Sequence, residues 1–162
     1  PIHPRYVALS KMTMGVLEAW LGGLVVLPLA WIFMGAHLNV SLENMAYFLP
    51  VLILAGLTSA SLGLLLGTIV KPLQIPALFP GFLIPMVLLG ATFFSWSDLD
   101  VIPWLQVLVL INPLLYVSEA FRAILTPDIN HMVIGYSLLG MAIFTVLMAW
   151  IGIRRFVQKA IQ

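Results

Sequence analysis

The sequence predicts an all-α fold, a polytopic membrane helical bundle of four spans plus a re-entrant helical hairpin, on three observations. Of its 162 residues, 62% are hydrophobic and 8% charged, against the ~25% charged of ordinary soluble domains, and the mean hydropathy is +1.13. The apolar residues form long runs divided by short polar segments, whereas a membrane barrel would alternate with period two. The few cations lie at the ends of those runs, where they bear on topology. The expected organisation is a single transmembrane domain over residues 1–162.

Residues 1–11 carry His3, Arg5 and Lys11 among two prolines and Tyr6, a composition suited to a membrane surface, and are placed in the cytoplasm. The first span is expected over 12–35. It is apolar except for Thr13 and Glu18, has Trp20 and Trp31 toward its ends as interfacial anchors, and contains Pro28, which removes a backbone donor and predicts a kink. Residues 36–48 read as an outer loop with no lysine or arginine. A second span follows over 49–70, with Gly56, Ser59 or Ala60, Gly63 and Gly67 recurring every three or four residues. That spacing puts small side chains on one face and suits helix packing. The third span, 75–94, contains Pro76, Pro80 and Pro85, so it should be irregular and lie against protein or a cavity, because lipid cannot satisfy broken backbone pairs. The last span, 132–153, ends at Arg154 and Arg155 with Lys159 beyond, and has Tyr136 and Trp150 near its ends.

Between the third and last spans, residues 93–125 are apolar enough to enter a membrane but are interrupted by Asn112 and Pro113 and followed by Glu119 and Arg122. A full crossing would leave Arg154, Arg155 and Lys159 outside, against Arg5, Lys11, Lys71 and Arg122 inside. A re-entrant threading puts every cation except Arg122 on one side, and the positive-inside tendency favours it. The predicted hairpin, over about 102–125, has half-helices 102–111 and 114–125 on either side of the Asn112-Pro113 break, each too short to span. Both termini are then cytoplasmic. Pro103 suits the first turn of the first half-helix, with Asp98 and Asp100 near its positive end.

The chain contains no cysteine, which excludes disulfides and thiolate metal sites, and its scattered histidines form no recognisable ligand set. No catalytic residue, metal or bound cofactor is expected, and nothing points to nucleic acid. Glu119 and Arg122, three apart on one helical face, can pair and lower the cost of charge near hydrocarbon; Tyr116 can add a hydroxyl or anchor at the interface. Glu18 lies where its carboxylate can snorkel to headgroups. Phe79, Phe82 and Met86 share a side of the third span, where they either pack or line a lipid-like path.

The segments FPGFLIPMVLLGATFFSWSDL and IPWLQVLVLINPLLYVSEAFRAIL, and a last span ending in RRF, resemble the permease subunits of ABC-2 type exporters, of the drug-resistance, nodulation-factor and polysaccharide kind, over roughly residues 11–159. NPLLYVSEAFR is the most specific of these. The resemblance implies an inner or plasma membrane subunit that dimerises, binds a separate ATPase holding ATP and magnesium, and exports an amphipathic, lipid-linked or glycan molecule or a drug. It implies an outer gate at Asn112, Pro113, Tyr116, Glu119 and Arg122, and contact with the ATPase through His3, Pro4 and Arg5, with binding of anionic lipid headgroups as the alternative for His3 and Arg5. No G-x-x-x-x-G-K-[ST] phosphate loop occurs, so ATP hydrolysis is expected on the partner. The chain opens where the family's third span would begin, so a fragment or truncated copy is expected, with removal of an initiator methionine before Pro1 as the other explanation of that start. A split permease acting as a non-transporting scaffold is the alternative function.

Overall fold

The computed structural model describes residues 4–35 and 42–161, and all regular structure in them is helical. Helix α1 spans Pro4–Met34 and runs through Pro28. It opens on a proline, whose missing N–H costs nothing at the first helical position. His3 lies outside the described residues. Helix α2, Leu42–Ile69, begins earlier than the sequence suggests and runs through Pro50. The second half of the expected 36–48 loop is therefore helical, because its polar residues Glu43 and Asn44 are compatible with a helix once apolar turns follow.

After α2 the chain becomes irregular. Pro72–Gln74 is a 3-10 turn, α3 covers Ile75–Leu78, a π turn covers Phe79–Leu83 and α4 covers Ile84–Leu88. The prolines at 76, 80 and 85 are the physical cause, since each withdraws one donor from the ladder. Helix ends at Leu88, short of the expected 94, and the whole stretch Pro72–Leu88 is shorter than a membrane-crossing helix. Within this stretch only Met86 is buried among the residues of α3, the π turn and α4.

A 3-10 segment, Trp96–Val101, leads to α5, Pro103–Leu108, a further 3-10 turn Val109–Ile111, and α6, Pro113–Leu125. Helix α7, Ile134–Ile161, closes the described chain. Among the described residues two helices are long and apolar enough to cross a membrane by length and composition, Ala46–Ile69 and Ile134–Lys159, and the bent pair Pro103–Ile111 and Pro113–Leu125 passes the same test when taken together. Helix α1, with 31 residues, extends ~46 Å, more than the ~30 Å hydrocarbon thickness.

The bundle is built on α2, which packs against α1 and α7, themselves in contact, with α6 laid across α2 and α7. Val51 and Ala55 from α2, Ala120 and Ile124 from α6 and Met141 from α7 form its core. Close approach is set by small residues and hydroxyls. The Thr58 and Thr145 hydroxyls meet at 2.8 Å across α2 and α7. A Cβ at Gly152 would lie 3.3 Å from Leu64. Between α1 and α2, the Trp20 indole N–H donates to the Leu52 carbonyl at 3.0 Å. Trp20 is thus a helix-pairing residue, a role its position in the sequence did not indicate. Gly56 makes this possible, because its Cβ would sit 2.5 Å from the indole nitrogen. The outward side of α7 is apolar at Tyr136, Leu139, Ile143, Val146, Leu147 and Trp150, all exposed, as a lipid-facing stripe requires.

Candidate functional site

The site is built around the break at Asn112. Its backbone is extended (φ −88°, ψ 115°), so the helical path stops there, and its side-chain oxygen accepts the Leu114 amide at 3.0 Å as the N-cap of α6. Pro113 follows at the first helical position, where its ring is tolerated. The Asn112 amide also donates to the Met86 carbonyl at 2.6 Å. That carbonyl needs a partner because α4 ends in a tightened turn, with the Gly90 amide bonded to Val87. One side chain therefore starts one helix and caps another.

The two arms, 103–111 and 113–125, are bent at this break by 101°. The first arm rises ~15 Å and the second ~20 Å, and turned by this angle they reach ~22 Å end to end, short of a ~30 Å hydrocarbon layer.

Glu119, on α6, is fully buried. Its Oε1 accepts the Trp96 amide at 2.9 Å and is paired with the Arg122 guanidinium. Its Oε2 accepts the Met132 amide at 2.5 Å. Arg122 in turn donates to the Ala91 carbonyl at 2.6 Å. Ala91 is buried with φ at +54°, a left-handed conformation that costs a non-glycine residue roughly 1–2 kcal/mol. It turns the chain out of α4 beside the arginine. The carboxylate and guanidinium thus join four pieces of chain: the end of α4, the 96–101 segment, α6 and the connection into α7. Multiple charge-assisted bonds and a close opposite charge are what allow these groups to be buried.

Neighbouring contacts extend the cluster. Ser95 and Asp98 form a capping box on the 96–101 turn. The Trp96 indole donates to the Gln106 carbonyl and the Gln106 amide donates to the Trp96 carbonyl, both at 3.2 Å, fixing that turn on α5. Tyr116 donates to the Leu110 carbonyl at 2.9 Å. Its ring lies over Gly140 of α7, where a Cβ would fall 2.3 Å from a ring carbon, and beside Phe144. Tyr116 is therefore a strut across the hairpin and α7.

The other expected positions separate. Phe82 and Met86 line a cavity of about 390 Å³ together with Asn112 and Pro113, whereas Phe79 is 59% exposed and lies off it. Gly56 meets Trp20, but Gly63 and Gly67 have no atom within 4 Å of an added Cβ. They line a groove of about 610 Å³ between α1 and α2 that also carries Lys11 and Glu18. The small-residue face is thus filled by another helix of this chain at only one of those three glycines. Pro4 and Arg5 are at the start of α1, at the opposite end of that helix from Met34.

Ala91, Trp96, Gln106, Met132 and Gly140 take part in the site without having been singled out from the sequence. Trp96 and Gln106 are polar-tipped residues in an apolar run, and Gly140 lies four before Phe144 on the same helix face, which are the available signals. Ala91 and Met132 contribute only backbone groups and have none.

Buried charge at a helical break, inside a bundle whose outer surface is apolar, defines the class: a helical membrane protein with an internally anchored broken helix. The family described as ABC-2 type transporter matches residues 1–126, a span that contains all of the helical break and the Glu119–Arg122 pair. The chain belongs to this family and is a transporter permease subunit. No curated protein and no solved structure matches it.

Proposed function

We propose that the chain is the transmembrane subunit of an ATP-driven exporter, that the bent pair is a re-entrant hairpin entering from the outer face, and that the Glu119–Arg122 pair holds it as an outer gate or cap. The observation that carries this reading is the family match over the segment in which the hairpin is pinned. The 101° bend supports re-entrance, since the two arms together fall short of the hydrocarbon thickness. Charge placement supports cytoplasmic termini in the inner or plasma membrane, with Arg122 the cation on the outer side.

In this reading ATP and magnesium are bound and turned over by a separate ATPase subunit. That subunit docks at the cytoplasmic end bearing His3, Pro4 and Arg5, and two permease chains associate. Closure of its ATP sites would shift the helices against each other and change how tightly the hairpin is held. The cavity beside Phe82 and Met86 is predominantly apolar and lies against the hairpin break, which suits an amphipathic or lipid-linked cargo.

The test is reconstitution with a phosphate-loop ATPase subunit that co-purifies with the chain. ATP-dependent export that requires this chain is the expected result. Stable membrane insertion without ATPase association or export would instead assign it a scaffolding role.

A further inference from the structure

At the end of the bundle where α1 begins and α7 finishes, Arg5 of α1 and Trp150, Ile153, Arg154, Val157 and Gln158 of α7 line a groove of about 400 Å³. This is within the ~300–1,000 Å³ range of small-ligand sites. Trp150, Arg154 and Gln158 are spaced by four and so share a face of α7. The Arg154 guanidinium carbon lies 4.6 Å from the centre of the Trp150 ring, which holds a mobile side chain in place over an aromatic surface. Among the described residues Arg154 has no carboxylate partner, and no acidic side chain lines the groove. The neighbouring groove differs in having both Lys11 and Glu18 on its wall.

We propose that this groove is a binding site for the headgroup of an anionic phospholipid, with the phosphate held between Arg5 and Arg154. Two guanidinium groups on separate helices match a phosphate by planar, bidentate donation. Gln158 adds a neutral donor, Trp150 places an amphipathic ring at the depth of the headgroups, and Ile153 and Val157 provide an apolar wall for the start of the acyl chains. A free anion would use only the arginines and Gln158; a lipid also uses Trp150 and the apolar wall. Basic clefts between membrane helices near the surface are suited to this class of ligand. A lipid bridging α1 and α7 would fix the two ends of the described chain relative to each other.

The site is tested by native mass spectrometry of the detergent-solubilised full chain with phosphatidylglycerol and phosphatidylcholine. Selective retention of phosphatidylglycerol is expected, falling about fivefold for each of Arg5→Gln and Arg154→Gln. Arg155→Gln, one residue outside the groove lining, should leave it unchanged, and Arg154→Lys should fall between. Equal retention of the two lipids by the unmodified chain overturns the proposal, and that comparison stands even if a variant does not fold. An equal loss in Arg155→Gln also overturns it, as diffuse charge. Displacement by millimolar inorganic phosphate assigns the site to a free anion. Unchanged lipid retention in Arg5→Gln/Arg154→Gln, with loss of a co-purifying ATPase subunit, assigns the arginines to protein docking. None of these readings requires transport, so failure here leaves the exporter reading standing, and failure of export leaves this one.

Discussion

Glu119 concentrates more of the structure's constraints than any other described side chain, because a single carboxylate answers two backbone amides and a guanidinium. Glu119→Gln preserves the shape but puts an amide donor against at least one of the Trp96, Met132 and Arg122 donors, whichever way the amide is turned. It also leaves Arg122, whose side chain is only 14% exposed, without a countercharge. Breaking a buried pair in this way costs ~3–5 kcal/mol. Thermal unfolding in detergent should show a large loss for Glu119→Gln and for Arg122→Met. The double variant should lose much less than the sum of the two, since the partners form one network. Additive losses would mean that the pair is not a unit.

At the scale of elements, the break between α5 and α6 depends on Asn112 doing two things. Asn112→Ala removes a helix cap, worth ~0.5–2 kcal/mol, and leaves the Met86 carbonyl unpaired, at ~1–3 kcal/mol. Asn112→Ser retains a capping oxygen but is too short to reach Met86, so its stability should lie between those of Asn112→Ala and the unmodified chain. The pairing of α1 with α2 gives a second expectation. Gly56→Ala must expel the Trp20 indole and lose its bond to Leu52, a destabilisation of ~1–3 kcal/mol by overpacking. Gly63→Ala meets open space and should be neutral or stabilising by up to ~1 kcal/mol. Comparable losses in both, by the same unfolding measurement, would show that the groove at Gly63 is occupied when the protein is in its membrane.

For the whole molecule, the decisive property is the side of the membrane on which each connection lies. The chain has no cysteine, so single introduced thiols report without background. Ser97→Cys and Thr126→Cys are expected to label together with a membrane-impermeant reagent from the outer face, and Lys71→Cys only after permeabilisation. Labelling of positions 97 and 126 from opposite faces would mean that the bent pair crosses the membrane.

Much of this was legible in the sequence. Composition marks the protein as membrane-embedded, run lengths mark its helices, and the three-residue spacing of Glu119 and Arg122 marks a pair on one helical face. Asn112-Pro113 marks a break because asparagine is a strong helix N-cap and proline suits the first helical position, whereas Pro28 and Pro50, with no such cap residue before them, lie inside continuous helices. The irregularity of residues 72–88 was legible from the number of its prolines. Only the tertiary structure decided what the buried charges hold. The partners of Glu119 and Arg122 are the amides of Trp96 and Met132 and the carbonyl of Ala91, and the partner of Asn112 is the carbonyl of Met86. Every non-proline residue carries those same backbone groups, so nothing in residue identity distinguishes the ones that packing brings to a carboxylate, a guanidinium or a side-chain amide.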